Sequence, residues 1–398
     1  MPSLAEIRRS PNSLARHYSQ FRVGERLLFT GHSHQAWPDV GFEGQIEAWS
    51  DAAEQVDEKW GRAVEKASLV RAGFAGLLGA DPDEIALGQN THELVVRFLS
   101  ALPLKNRPRL VTTDGEFHTI RRQLDRISET DWLTVVKVPA LPAATLTDRL
   151  IAEVNQRTAA VLVSSVLFGS AHIVPGLARL LASCRTIGAE LLVDTYHHLN
   201  VVPFTLANDQ LEHAFVVGGG YKYCQLGEGN CFLRVPPGRE ELRPILTGWF
   251  SEFAQLSDPA TESVYYGDGP ARWAGATYDP TSHYRAARVF DFFHREGLTS
   301  KFLREVGQHQ VGYLAQQFDG LGLDPDVIDR DRSVPLVGIA GFLALTSAHA
   351  AEISRQLRHR EVWTDYRGAT LRFGPAPYHS DQQLVAAMET LAKAVQKL

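Results

Sequence analysis

Between Ile85 and Gly218 the chain alternates short apolar runs with stretches whose apolar residues recur every three or four positions. Runs at 85–88, 109–113, 133–138, 159–167, 190–194 and 215–218 predict strands, and the segments 91–102, 119–129, 147–156 and 176–188 between them predict helices. That alternation specifies an α/β layer on a largely parallel sheet, because a parallel crossover needs a helix to return the chain. Strands this apolar are buried on both faces. Ligands of such sheets bind outside the carboxyl ends of the strands, so residues just after Leu87, Thr113, Val193 and Val217 are the first candidates for a site.

Upstream, Ala63, Ala67, Val70, Phe74, Leu77 and Leu78 mark an amphipathic helix over 60–80 that ends near Gly79, before a turn at Asp81-Pro82. After Gly269 the pattern changes. A helix from Ser282 to Glu296 is predicted to run on through Leu298 to Phe318 as a connecting helix. Strands at 335–345, 362–365 and 370–374 and helices at 348–359 and 381–398 then give a smaller α+β unit. The expected organisation is an N-terminal segment, 1–35, packed on the small domain, a large α/β domain over 36–280, and the connecting helix with the small domain over 281–398. With 44% hydrophobic and 22% charged residues the chain is globular. A formal charge of −6 lacks the basic footprint of a nucleic-acid partner. No run approaches the ~20 apolar residues of a membrane span. Arg8-Arg9 is followed by no apolar export region, and three cysteines fit a reducing compartment, so a cytoplasmic protein without disulfides is expected.

Two segments carry chemistry. The strand Leu191-Leu192-Val193 delivers Asp194 at its end, with His197 three residues later. Taken alone, Asp194 reads first as the cap of the next turn. The second segment, Gly218-Gly219-Gly220-Tyr221-Lys222-Tyr223, brings glycines that allow close backbone approach and a lysine between two aromatic rings. Taken alone, Lys222 reads equally as a surface lysine after a tight turn. Together they supply what pyridoxal 5'-phosphate requires: a carboxylate that keeps the pyridine nitrogen protonated, and an amine, neutral when desolvated, that holds the aldehyde. A phosphate cradle is then expected at a helix N-terminus, and Gly88-Gln89-Asn90-Thr91 offers one. Phe117 offers a ring to stack on the pyridine, and Arg372 a bidentate partner for a substrate carboxylate. His32 and His34, or His197 and His198, have the spacing of metal ligands, but no cysteine or carboxylate cluster accompanies them, and no metal is expected.

These residues carry a resemblance. The chain resembles the fold-type I pyridoxal phosphate enzymes of the class V aminotransferase group, with the aspartate aminotransferase-like fold, and within them it resembles kynureninases most. The specific segments are Asp194–Val201 with Asn200, Tyr221-Lys222-Tyr223, Gly248-Trp249-Phe250, Gly31-His32-Ser33 and Arg372-Phe373-Gly374-Pro375-Ala376-Pro377. The resemblance implies that Lys222 forms the Schiff base, Asp194 partners the pyridine nitrogen and His197 sits by the phenolic oxygen. It places Asn90, Thr91 and the Tyr221 hydroxyl at the phosphate, Phe117 on the ring, and Trp249 at the phosphate of a neighbouring subunit in a homodimer. Arg372, with Ser33 and His32, would face the substrate. Lys222, Tyr221 and Asp194 would carry the catalysis: cleavage of the Cβ–Cγ bond of kynurenine or a related β-acyl amino acid to alanine and an aromatic acid. The alternatives within the group are an aminotransferase, a β-eliminating lyase or an epimerase on another amino acid.

The chain departs from the kynureninase pattern at its presumed substrate mouth. His32 and His34 stand within a segment that is usually Gly-Asn-Ser, and Tyr278-Asp279-Pro280-Thr281 replaces Ser-Asn-Pro-Pro. The residues after Phe117 are His118-Thr119-Ile120, without the usual aspartate on the cofactor side. Nothing beyond Cys231 is a cysteine, which disfavours the sister desulfurase reaction, and Cys224 and Cys231 read as small buried hydrophobes.

Overall fold

The computed structural model describes residues 2–257 and 262–398. Its main sheet has seven strands: β1 (Ile85–Gly88), β2 (Arg109–Thr113), β3 (Thr134–Val138), β4 (Thr158–Ser164), β5 (Glu190–Asp194), β6 (Phe215–Gly219) and β7 (Cys231–Arg234). They lie side by side in the order β1-β7-β6-β5-β4-β2-β3. Strands β2 to β6 run parallel, whereas β7 is antiparallel to both β6 and β1. The central strands β4, β5, β6 and β7 are buried on both faces, as their apolar runs require, while the edge strand β3 is partly exposed. Leu191 and Val193 of β5 enter one core with Val161, Val163 and Val216; Leu192 enters the other with Ala160, Leu162 and Val217.

Helices Lys59–Leu78, Thr91–Ala101, His118–Ser128, Leu146–Glu153 and Leu177–Thr186 lie within a few residues of the periodic segments. Their ends follow local chemistry. Gly79 closes the first at φ +63, where a side chain would be strained, and Asn90 caps the second by accepting a hydrogen bond from the Glu93 N–H. Two further elements, the helix Val40–Gln55 and β7, carry little periodic mark.

Three expectations are corrected. The single connecting helix is two, Thr281–Glu296 and Ser300–Gly320. Gly297 at φ +70 ends the first, and the Thr299 side chain accepts from the Phe302 N–H to start the second. The strand expected over 335–345 is confined to Leu343–Thr346, because Leu336–Gly338 winds into a 3-10 turn. The segment 362–365 is two short strands, Val362–Trp363 and Asp365–Arg367. A second sheet forms in the order Asp365–Arg367, Thr370–Phe373, Leu343–Thr346, Asp329–Arg330, all antiparallel. The chain's beginning joins this region: Leu27–Leu28 pairs with Val362–Trp363, and Thr30 bridges Gly374. Among the described residues no helix is long and apolar enough to cross a membrane.

Candidate active site

The carboxyl ends of the parallel strands gather the chemistry. Asp194 ends β5 opposite Ser164 of β4 and Val217 of β6. One of its oxygens accepts from the Tyr196 N–H at 2.8 Å, and burial raises its pKa against the pull of that bond and of Lys222. Lys222 follows β6 after Gly220 and Tyr221, with no room for a side chain at the strand's last residue, Gly219: a Cβ there would meet the Tyr196 hydroxyl and Cys231. The two segments are tied by Asn200, which adopts φ +64 and donates its amide N–H to the Tyr223 carbonyl at 3.2 Å.

Lys222 is only 4% exposed. Its Nζ lies 2.7 Å from Nε2 of His197 and faces three rings, with centroids at 4.5 Å (Tyr196), 5.1 Å (Phe117) and 5.7 Å (Tyr221). Desolvation brings its pKa down to about 7 despite the opposing charge of Asp194. Desolvation, reinforced by the Lys222 charge, holds His197 well below the ordinary histidine range. Among the described residues its Nδ1 is buried without a partner. The Tyr221 hydroxyl is pushed up to about 12 by burial and keeps its proton at neutral pH; its ring stacks on His34 at 5.2 Å. Phe117 packs edge-on against Phe168 at 5.5 Å.

Thr91 is buried at the start of its helix, and Cys231, on the neighbouring strand β7, lies 3.7 Å from the Tyr196 hydroxyl. Asn90 is exposed, and its side chain is engaged with Glu93. Trp249 stands apart, 43% exposed, with its ring against Phe250 and Phe253. Ser33 donates its hydroxyl to the Thr30 carbonyl. The three cysteines are free and buried, and burial pushes their thiols up, in keeping with inert apolar packing.

Arg372 is buried at 2% exposure, and Phe342 bridges it to the lysine cluster: the ring lies 5.5 Å from the guanidinium, 4.7 Å from His32 and 6.2 Å from His197. His32 and His34 diverge. His32 turns inward to Asp365 at 2.8 Å, while His34 is exposed and lies 3.9 Å from Glu228.

Two acids escaped sequence reasoning. Asp365 binds Arg372 through both oxygens, at 2.9 and 2.6 Å. Its partner sits seven residues on, directly across a hairpin turning at Gly368, so the Asp-x-x-Gly-x-x-x-Arg spacing was the available signal. Glu116, one residue before Phe117, is buried and accepts from the hydroxyls of Thr113 at 2.7 Å and Ser164 at 2.6 Å. Burial, opposed by those bonds, raises its pKa to about 7, and the nearby Asp194 charge adds to the rise. The chain thus carries a buried carboxyl group immediately before Phe117. No local pattern announces it.

No protein-family model matches the chain. It is 28% identical over 205 residues to the isopenicillin N epimerase of Streptomyces clavuligerus, covering 50% of this chain and 51% of that relative. It is 22% identical over 351 residues to the uncharacterized aminotransferase YcbU of Bacillus subtilis, covering 87% and 89%. To the kynureninase of Xanthomonas campestris pv. campestris it is 29% identical over 201 residues, 46% and 45%. The epimerase and kynureninase alignments span about half the length of those relatives. Among solved structures, a lysine-to-alanine mutant of C-DES with glycine covalently linked to its PLP cofactor superposes with a TM-score of 0.82 at 16% identity, over 95% of this chain and 98% of that one. The apo cysteine desulfurase of Thermococcus onnurineus gives 0.80 at 17% identity, over 98% of each. The chain has the fold of the fold-type I, class V pyridoxal phosphate enzymes, and its sequence relatives are named epimerase, aminotransferase and kynureninase.

Proposed function

We propose that this chain is a pyridoxal phosphate-dependent enzyme acting on an amino acid, and that its reaction is of the kynureninase type. The observation that carries the reading is Lys222: a desolvated amine, close to neutral at physiological pH, held by His197 beside the strand-end carboxylate Asp194. The residues fit the cofactor. A buried Asp194 is stabilised by a cationic N–H partner, as a protonated pyridine nitrogen provides, and the unpartnered His197 Nδ1 awaits a polar group. Phe117 would cover the ring, and Thr91 with the Asn90 turn and the Tyr221 hydroxyl would hold the phosphate. When bound, the cofactor supplies an aldehyde for the substrate amine and an electron-accepting ring.

The chain's own groups do the rest. Lys222 Nζ, neutral above about pH 7, can take a proton from the substrate Cα. The Tyr221 hydroxyl, protonated at neutral pH, can donate one. Arg372 would hold the substrate carboxylate, with Ser33 near the mouth and the buried His32 acting behind it through Asp365. With water adding at the γ-carbonyl as the Cβ–Cγ bond breaks, the product set would be alanine and an aromatic acid from a β-acyl amino acid such as kynurenine. Aminotransfer is the second reading, favoured by the alignment to the Bacillus aminotransferase, which spans most of both chains.

We further propose a cytoplasmic homodimer, with Trp249 reaching the neighbouring phosphate. Ile245, Leu246, Trp249, Phe253 and Leu256 form an exposed apolar run suited to a partner subunit. The test is an absorbance spectrum of the purified protein before and after kynurenine, with anthranilate-type fluorescence followed in the same cuvette. A chromophore that shifts as fluorescence appears supports hydrolysis; a shift without product moves the reaction to aminotransfer and other amino acids. A chromophore and activity that survive Lys222→Ala would sink the whole reading.

A further inference from the structure

Arg372 is pinned from two sides. Asp365 takes its Nε and Nη2 edge through both carboxylate oxygens, and the Phe168 carbonyl, from a loop after β4, accepts from Nη1 at 2.8 Å. A guanidinium has five N–H donors. Three are committed here, which leaves one on each terminal nitrogen. Asp365 is held in turn: His32, fully buried and neutral because burial brings its pKa down to about 4, donates Nε2–H to the Oδ1 that also receives Nε. Gly374 makes this possible, since a Cβ there would overlap the His32 ring. Burial alone would raise the Asp365 carboxyl, yet His32 and Arg372 together hold it well below the usual carboxylate range. Arg367, half-exposed, lies 3.7 Å from the other oxygen.

We propose that Asp365 is a positioning residue for substrate recognition, fixing Arg372 so that its two uncommitted terminal N–H groups meet the carboxylate of the amino acid, with His32 locking Asp365 in place. This rests on the reading of Arg372 as the carboxylate-binding residue. The opposite role is also chemically coherent: an Asp365 that competes with the substrate for the guanidinium. The two roles predict opposite signs, because removing a positioning anion weakens carboxylate binding and removing a competitor strengthens it.

The experiment is a spectral titration of the holoenzyme with L-alanine and, separately, L-alaninamide, which keeps the size and the amine but lacks the carboxylate. Asp365→Asn is expected to raise the half-saturating L-alanine concentration by about 10-fold or more, with the L-alaninamide value within about 2-fold of wild type, since the amide does not use the positioned fork. A half-saturation for L-alanine that is unchanged or lowered would overturn the proposal. Should Asp365→Asn fail to fold, His32→Gln, which leaves the ion pair in place, is expected to shift the alanine-to-alaninamide ratio in the same direction, and an unchanged ratio there counts equally against it. Arg372→Ala separates the two levels. If it leaves that ratio at the wild-type value, the carboxylate reading of Arg372 fails; if it collapses the ratio while Asp365→Asn does not, only the positioning role fails.

Discussion

The burial of Lys222 sets a pH signature that an ordinary lysine cannot imitate. In the cofactor-free protein, capture of pyridoxal phosphate requires the neutral amine, and Lys222 titrates at about 7 instead of 10.5 because it is desolvated. From about pH 6 to about pH 8 its neutral fraction rises from roughly 10% to roughly 90%, so the capture rate should gain about 10-fold and then level off. A solvated lysine would gain about 100-fold over the same interval and go on gaining about 10-fold per pH unit until about pH 10. The assay is stopped-flow growth of the cofactor chromophore, with N-acetyl-lysine amide in the same buffers as the reference that removes the aldehyde's own pH dependence. Asp194→Asn gives a second check. The Asp194 charge favours protonated Lys222, so its removal should move the plateau to lower pH. A wild-type rate that climbs log-linearly through about pH 9 would refute the argument, since it would mean the amine is solvated before the cofactor arrives.

Two other outcomes follow from the packing. Glu116 has a folded pKa of about 7 against an ordinary 4.5, so its burial weakens the native state increasingly as pH rises through that window and by a constant amount above it. Glu116→Gln should therefore gain on wild type by up to about 3 kcal/mol between about pH 5 and about pH 8, offset in part by an acceptor lost to Thr113 or Ser164; thermal melts giving the same difference at both pH values would show that Glu116 is not desolvated. Phe253 is 60% exposed within the apolar run beside Trp249. Sedimentation velocity should find a dimer for the wild type and a shift towards monomer for Phe253→Glu, and a monomeric wild type would remove the proposed interface.

Much of the architecture was legible because it is written in local periodicity. Apolar runs such as 190–194 and 215–218 became β5 and β6 since a strand buried on both faces needs side chains that tolerate either core. The pairing of Asp194 with Lys222 was legible for a related reason: each follows an apolar strand, and parallel neighbours bring their carboxyl ends to one crevice. The helix break at Gly297 was missed because no strand signal separates the two helices, whereas the break depends on one positive φ and a threonine cap. The reversed strand β7 was missed because four residues are too few to show a period, and its direction is fixed only by pairing with β1 and β6.

The site divides in the same way. The sequence by itself determined which residue types reach the strand ends: an acid, a histidine, a lysine between aromatic rings, and an arginine on a late strand. Only the tertiary structure decided their states and partners. It buried Lys222 enough to lower its pKa, placed His197 against it, and set Glu116 between Thr113 and Ser164. It also joined His32 to Asp365 across 333 residues of chain and Arg372 to the Phe168 carbonyl across 204. The reason is physical. A strand's apolar pattern is a property of neighbouring residues, whereas desolvation and hydrogen bonding depend on every element that closes around a group, and those elements meet only when the chain has folded.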